Sequence, residues 1–155
     1  MKQTDKILIG IVAGIVILVI AAFAITLTRP EETYQPEDTP EGVVHNYLLA
    51  FDNQDLERAY SYLSPDIPKY PRTLDEFIQD VEQNRWAFES NLAFSLETKS
   101  PSSNRAIVTV FANYFSGGGL FDISQNTTEF TISLKKVNGN WRIYAGERFF
   151  CWCWQ

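Results

Sequence analysis

Few residues of this chain have the types and spacing that chemistry requires. His45 is the only histidine, and Asp52 falls on the same flank of the helix predicted there. At 100° per residue, His45 lies roughly 60° outside the apolar arc that runs from Val43 to Leu48, so we expect it at the surface beside Asp52. A lone histidine without a pocket-facing carboxylate is usually solvated. We therefore predict no catalytic residue on this helix.

The two cysteines lie in the C-terminal segment Cys151-Trp152-Cys153-Trp154. A structural zinc site normally takes four Cys or His ligands and the chain offers three candidates, so neither a metal nor another cofactor is predicted. A disulfide between Cys151 and Cys153 is geometrically poor in an extended strand. Three interpretations stay open: an apolar end that tucks its aromatic side chains onto the domain, a bridge to a second chain, or a metal, redox or membrane-surface role.

Aromatic residues supply the remaining candidates. The predicted elements point three tyrosines inward, where their hydroxyl groups reach an interior cavity, and we interpret them as core aromatics rather than catalytic acids. The residues predicted to line a pocket are Tyr47, Phe51, Tyr60, Phe77, Tyr114 and Trp141.

An uncharged stretch from Ile7 to Thr28 dominates the N-terminal part. At about 1.5 Å per residue it makes a helix of roughly 33 Å, enough to cross a bilayer. A cleaved signal peptide is the alternative, because Ala22-Phe23-Ala24 offers a cleavage pattern, but the apolar run is longer than a usual h-region. Lys2 and Lys6 precede the stretch and only Arg29 closely follows it. This bias predicts a single-pass protein of the cytoplasmic membrane, with the N-terminus inside and the C-terminal domain outside.

The predicted organisation is a cytoplasmic end (1–6), a transmembrane helix (7–28), a stalk (29–38) and one exported domain (39–155). Proline and acidic residues in the stalk favour an extended chain over a packed one. Acidic residues outnumber basic ones, 19 to 13, for a net charge of −6. This charge disfavours a nucleic-acid partner.

Hydrophobic periodicity predicts helices first and strands afterwards. Helix starts are predicted at Thr39-Pro40, Asp55 and Thr73 from capping residues followed by apolar positions at helical spacing. From Phe88 onward the pattern alternates, with a loop predicted from Gly117 to about Asn126 and a type I′ hairpin at Asn138-Gly139. The predicted class is α+β, with about three helices packed on one face of a curved antiparallel sheet.

Two segments of this domain resemble a known superfamily. The stretch VVHNYLLAFDNQDLERAYSYLSP resembles the opening helix pair of domains similar to nuclear transport factor 2 and ketosteroid isomerase, and VNGNWRIYAG resembles their final hairpin. The resemblance covers about Thr39 to Phe149, and the similar layouts are membrane-anchored bacterial proteins. It implies a cone-shaped domain with an apolar pocket, and it implies no single function, since this fold hosts many activities.

The predicted strand from Ala106 to Phe115 is apolar on both faces, whereas helices cover one face of such a sheet. The other face would expose Ile107, Phe111 and Phe115, which predicts a self-association patch and a homodimer. In the competing interpretation the tail, with Phe150, Trp152 and Trp154, folds back over that patch.

The sequence thus predicts a membrane-anchored extracytoplasmic binding or scaffold domain without catalysis. Its partner would be a small apolar ligand or a protein. The alternative is an isomerase- or dehydratase-like enzyme that uses a pocket tyrosine or aspartate.

Overall fold

A computed structural model describes the backbone of residues 3–27, 32–88, 93–99, 102–119 and 122–155. Side chains are described within these ranges except at 3–9, 24–27, 93, 114–119 and 122–126. The chain divides into two compact units, Met1–Thr33 and Tyr34–Gln155.

The described part of the first unit contains one helix, α1 (Gln3–Leu27). Its described side chains run from Gly10 to Phe23, and the large apolar ones among them are 48% to 70% exposed. Within the described residues, no helix has the length and apolar character of a membrane span. The end of the predicted span, Thr28, lies outside the described residues.

Three helices follow in the second unit: α2 (Pro40–Asp52), α3 (Leu56–Ser61) and α4 (Leu74–Gln83). Each begins as the capping signals predicted, because the side chain of the preceding Thr39, Asp55 or Thr73 accepts a backbone N–H of the first turn. Single 3₁₀ turns lie at Arg85–Ala87 and Trp152–Trp154.

Four strands form an open antiparallel sheet in the order β1-β2-β3-β4. They are β1 (Ala93–Lys99), β2 (Arg105–Gly119), β3 (Asp122–Val137) and β4 (Asn140–Gly146). Asn138 and Gly139 both have positive φ, so the predicted primed turn between β3 and β4 is confirmed. The α+β class is also confirmed.

The predicted loop from Gly117 to Asn126 is wrong. Gly117 pairs with Ile123, and Tyr114 pairs with Asn126, so β2 and β3 continue as one long hairpin. Glycine weakens a strand because it has no side chain to pack, but it keeps both backbone hydrogen-bonding groups. A run of glycines therefore does not end a ladder whose partner strand continues.

The helices cover one face of the sheet. Helix α2 packs across β1, β2 and β4, and α3 contacts α2 and α4. Along β2 the buried apolar side chains are Ala106, Val108, Val110 and Ala112, and we call their side the inner face. Thr109, which alternation places on the opposite face, is buried too. The hydrophobic core lies between this face and the helices.

Residues Tyr34–Asp38, predicted as part of a free stalk, pack onto the domain instead, and we call them the strap. The backbone of Gln35 exchanges two hydrogen bonds with the buried Asn46 side chain, at 2.7 and 2.8 Å. The Trp141 indole N–H donates to the Asp38 carbonyl at 3.2 Å. Proline and acidic residues predicted an extended chain here, whereas Glu37 and Asp38 form a turn. The partners of the strap come from distant positions in the sequence.

Glu37, an acidic residue of the strap, also contacts side chains of the domain. Glu37 accepts the Tyr62 hydroxyl at 2.8 Å and lies 3.6 Å from the Arg58 guanidinium, which also sits over the Tyr34 ring. Burial raises the pKa of Tyr62 above its ordinary value, so its hydroxyl stays a proton donor near neutral pH. The repulsion expected among the acids of this segment is therefore offset locally.

Candidate functional site

The C-terminal tail fills the interior in which the sequence predicted a pocket. Trp154 is fully buried, stacks on Phe77 at 5.6 Å between ring centroids, and contacts Phe88 at 5.9 Å. Phe150 meets it edge-on at 5.0 Å. The Trp154 indole N–H donates to the Asp80 carboxylate at 2.7 Å, which satisfies the one polar group of the ring. The side chain is an internal part of the core.

Backbone contacts hold the tail in this position. Phe149 has φ +55°, the left-handed region that bulky residues seldom adopt, and this turns the chain sharply after β4. Its N–H donates to the Ala87 carbonyl at 3.0 Å, and its own carbonyl accepts the Tyr47 hydroxyl at 2.5 Å. Further on, the Lys69 N–H donates to the Trp154 carbonyl at 3.1 Å.

The Tyr47 hydroxyl therefore hydrogen-bonds to the tail and is not free to bind a ligand. Burial raises the pKa of its phenol well above the ordinary value, because the charged phenolate is disfavoured away from water. The neutral hydroxyl acts as a hydrogen-bond donor, and its acceptor is the Phe149 carbonyl.

The other predicted pocket residues do not converge on one cavity. Phe77 is core, Tyr60 is half-buried and donates to the Pro71 carbonyl at 2.7 Å, and Trp141 contacts the strap. The Tyr114 side chain lies outside the described residues.

A cleft of about 480 Å³ lies beside the interior that Trp154 fills, between the end of α2 and the end of α4. Phe51 and Phe88 stack in it with ring centroids 5.0 Å apart. Phe88 also contacts Trp154, so one ring forms a wall between the cleft and the filled interior. The cleft is lined by Phe51, Gln54, Leu56, Val81, Glu82, Arg85 and Phe88.

Three residues at or beside the cleft were not predicted from the sequence. Glu82 and Arg85 place opposite charges at the edge of an apolar floor. Between Arg85 and the core residue Ala87, Trp86 is 66% exposed. The 3₁₀ turn is too short to show an alternation of apolar and polar residues, so the exposure of Trp86 could not be predicted from the sequence. Within the described part of the chain, no cluster of His, Cys, Asp or Glu is suited to a metal ion.

His45 is half-buried rather than fully at the surface. Its ring meets Phe94 of β1 edge-on at 5.9 Å. It lies on the sheet side of α2 and does not line the cleft.

The two cysteines form a disulfide within the chain, so neither is the free thiol that a bridge to a second chain, one of the three open interpretations, would use. The geometric objection assumed an extended strand. Cys151 instead caps the start of a 3₁₀ turn and Cys153 lies within it, with Cα atoms 5.1 Å apart, inside the usual range for disulfides. The tail is only partly tucked in: Phe149, Phe150 and Trp154 are buried, whereas Trp152 is 64% exposed.

The opposite, outer face of the sheet carries the predicted self-association patch. Ile107 is 42% exposed and Phe111 is half-buried, and the Phe115 side chain lies outside the described residues. The tail lies on the inner face and does not cover this patch. Phe149 stacks on Phe130, and Phe130 pairs with Val110, whose side chain is on the inner face. The competing interpretation is therefore wrong. Self-association through Ile107, Phe111 and Phe115 stays a prediction.

Comparison with known structures shows similar folds at low sequence identity. A SEC-C motif containing protein from Rhodopseudomonas palustris is 20% identical, with a TM-score of 0.53, over 75% of this chain and 83% of that one. An NTF-2 like protein of unknown function from Shewanella oneidensis is 16% identical, with a TM-score of 0.45, over 67% and 90%. A putative dehydratase of the NTF2-like family from Streptomyces avermitilis is 16% identical, with a TM-score of 0.44, over 67% and 88%.

Of these three structures, the protein from Rhodopseudomonas palustris has a TM-score above 0.5, and it shows a fold similar to that of this chain. No curated protein matches the chain. A family model, the C-terminal domain of the anti-sigma-I factor RsgI9, matches residues 42–149, which is well over half of the chain and nearly all of the second unit. The chain belongs to the family of the anti-sigma-I factor RsgI9 C-terminal domain.

Proposed function

We propose that this chain is a non-catalytic, protein-binding domain of an anti-sigma-type regulator, presented outside the cytoplasmic membrane by α1. The observation that carries the proposal is Trp154 in the interior. A pocket filled by the protein's own core residue leaves the surface for recognition. The isomerase- or dehydratase-like alternative needs a free pocket acid or base, whereas the Tyr47 hydroxyl is engaged by the Phe149 carbonyl.

The cleft and Trp86 together form the surface that we assign to the partner. Tryptophan is enriched at the centres of protein interfaces, and a large exposed tryptophan beside an apolar cleft is unusual for a surface that binds nothing. The floor around Phe51 and Phe88 suits an apolar side chain of the partner, and the charges of Glu82 and Arg85 suit a polar rim.

Presentation by α1 rests on its sequence and exposure. The stretch from Ile7 to Thr28 has no charge, and the apolar side chains of α1 from Ile11 to Phe23 are exposed. Lys2 and Lys6 favour an inside N-terminus. The family name indicates regulation of a sigma factor, but a domain outside the membrane would bind a different protein there.

Photo-crosslinking in intact cells tests both parts of the proposal. A benzoylphenylalanine at position 86 should give a discrete product with a second protein, and Arg85→Glu should reduce the yield about tenfold if the rim charge contributes to binding. Position 152 is the matched control, because Trp152 is similarly exposed but, unlike Trp86 beside Arg85, does not adjoin a residue that lines the cleft. Protease added to spheroplasts should digest the domain.

Two results would overturn the proposal. Equal products from positions 86 and 152 would show that crosslinking follows exposure rather than a specific surface. Protection of the domain from added protease would place it inside the membrane barrier.

A further inference from the structure

The two cysteine residues of the tail disulfide differ in their exposure to solvent. Cys153 is exposed, whereas Cys151 is fully buried. The backbone N–H of Cys153 donates to the Cys151 Sγ at 3.2 Å. A thiolate from solution therefore reaches Cys153 first, and the sulfur that would leave, that of Cys151, has a hydrogen-bond donor to stabilise its charge.

The disulfide closes a ring of three residues at the point where the tail enters the core. Within this ring Trp152 points to solvent, and Trp154 follows directly and is buried. The turn is also held by the Trp154 N–H, which donates to the Cys151 carbonyl at 3.1 Å. The ring thus fixes the conformation that places Trp154 against Phe77 and Phe88.

We propose that the Cys151–Cys153 disulfide is a thiol–disulfide exchange site for a dithiol, and that its reduction releases Trp154 from the interior. One thiolate of the dithiol bonds to the Cys153 sulfur, the disulfide breaks, and Cys151 leaves as a thiolate that takes a proton. The second thiol of the dithiol then attacks the mixed disulfide and releases Cys153 as a thiol. The dithiol becomes a cyclic disulfide, and its two electrons and two protons pass to the cysteines.

The magnitude of the release follows from loop closure. Closing a ring of three residues lowers the entropy of the detached tail. In the chain-entropy relation, this shifts the equilibrium between the detached and the docked tail about tenfold. Reduction should therefore raise the population with a detached tail about tenfold while the remaining contacts still hold most molecules closed. Because Phe88 forms the wall between the cleft and Trp154, detachment would extend the cleft into an apolar space.

Hydrogen exchange of the full chain in detergent micelles tests this, with dithiothreitol as the dithiol. Mass spectrometry should first show a gain of two hydrogen atoms. The Lys69 N–H, whose acceptor is the Trp154 carbonyl, should then exchange about tenfold faster. The Ile143 N–H, which donates to the Tyr62 carbonyl at 2.9 Å, should keep its rate, because it does not depend on the tail.

The double variant Cys151→Ser/Cys153→Ser is the matched control. It should exchange at Lys69 like the reduced protein and show no response to dithiothreitol. An unreduced disulfide, or a reduced protein with unchanged Lys69 exchange, would overturn the proposal. Equal acceleration at Lys69 and Ile143 would also overturn it, since the disulfide would then stabilise the whole domain. The inference does not depend on the proposed partner or on the membrane.

Discussion

Trp154→Ala is expected to lower the free energy of unfolding by about 3–5 kcal/mol, the range for a fully buried large aromatic side chain. The variant would leave a cavity beside Phe77 and Phe88 and remove the donor to the Asp80 carboxylate. Trp152→Ala, two positions earlier, is the matched control. Because Trp152 is mostly exposed, its change should stay within about 0.5 kcal/mol.

Urea denaturation of the full chain in micelles, followed by the fluorescence of the remaining tryptophans, measures both variants. The expected result is a large shift of the midpoint for Trp154→Ala and almost none for Trp152→Ala. Similar shifts for the two variants would mean that the tail is not part of the core.

Gly42→Ala is expected to destabilise the domain by about 1–3 kcal/mol, the cost of inserting a methyl group into a packed site. Gly42 lies in the first turn of α2, and a methyl group there would overlap the carbonyl oxygen of Pro36 in the strap. The strap would have to move, and the buried Asn46 amide would lose its two hydrogen bonds to Gln35.

The direction in which stability changes distinguishes a docked strap from a free stalk. In an ordinary helix, replacement of glycine by alanine stabilises by up to about 1 kcal/mol. A lower urea midpoint, with faster exchange of the Gln35 N–H, would therefore show that the strap is docked. A higher midpoint would show that it is a free stalk, as its proline and acidic residues suggested.

The elements that local signals determine were predictable from the sequence. Thr39, Asp55 and Thr73 cap the three helices because each has a side-chain oxygen that accepts a backbone N–H of the first turn. Each also precedes apolar residues at helical spacing. Asn138-Gly139 forms the closing turn because both residues tolerate positive φ. In each case the interactions that fix the conformation lie within a few residues.

The interior and the strap were not predictable in this way. The Tyr47 hydroxyl contacts Phe149 and the Trp141 indole contacts Asp38, each across about a hundred residues of sequence. No period or motif reports such contacts. The one available signal was the density of large aromatic residues in the tail, and it does not say which of them is buried.

The cleft was missed for a related reason. Phe51 was predicted to line a pocket and does line the cleft. The position of that cleft depends on Phe88 and Trp154, which come from other parts of the chain. Residues such as Trp86, on a single 3₁₀ turn, have no neighbours at helical spacing from which exposure follows.

Xenon binding to the oxidised full chain, followed by NMR, tests most directly whether the interior is filled. Apolar cavities that are large enough bind xenon, so Trp154→Ala should gain a saturable site beside Phe77 and serves as the positive control. For the unmodified chain we expect no saturable site next to Tyr47 or Phe77. Saturable, stoichiometric binding there would contradict it, because the interior would then be an open ligand pocket.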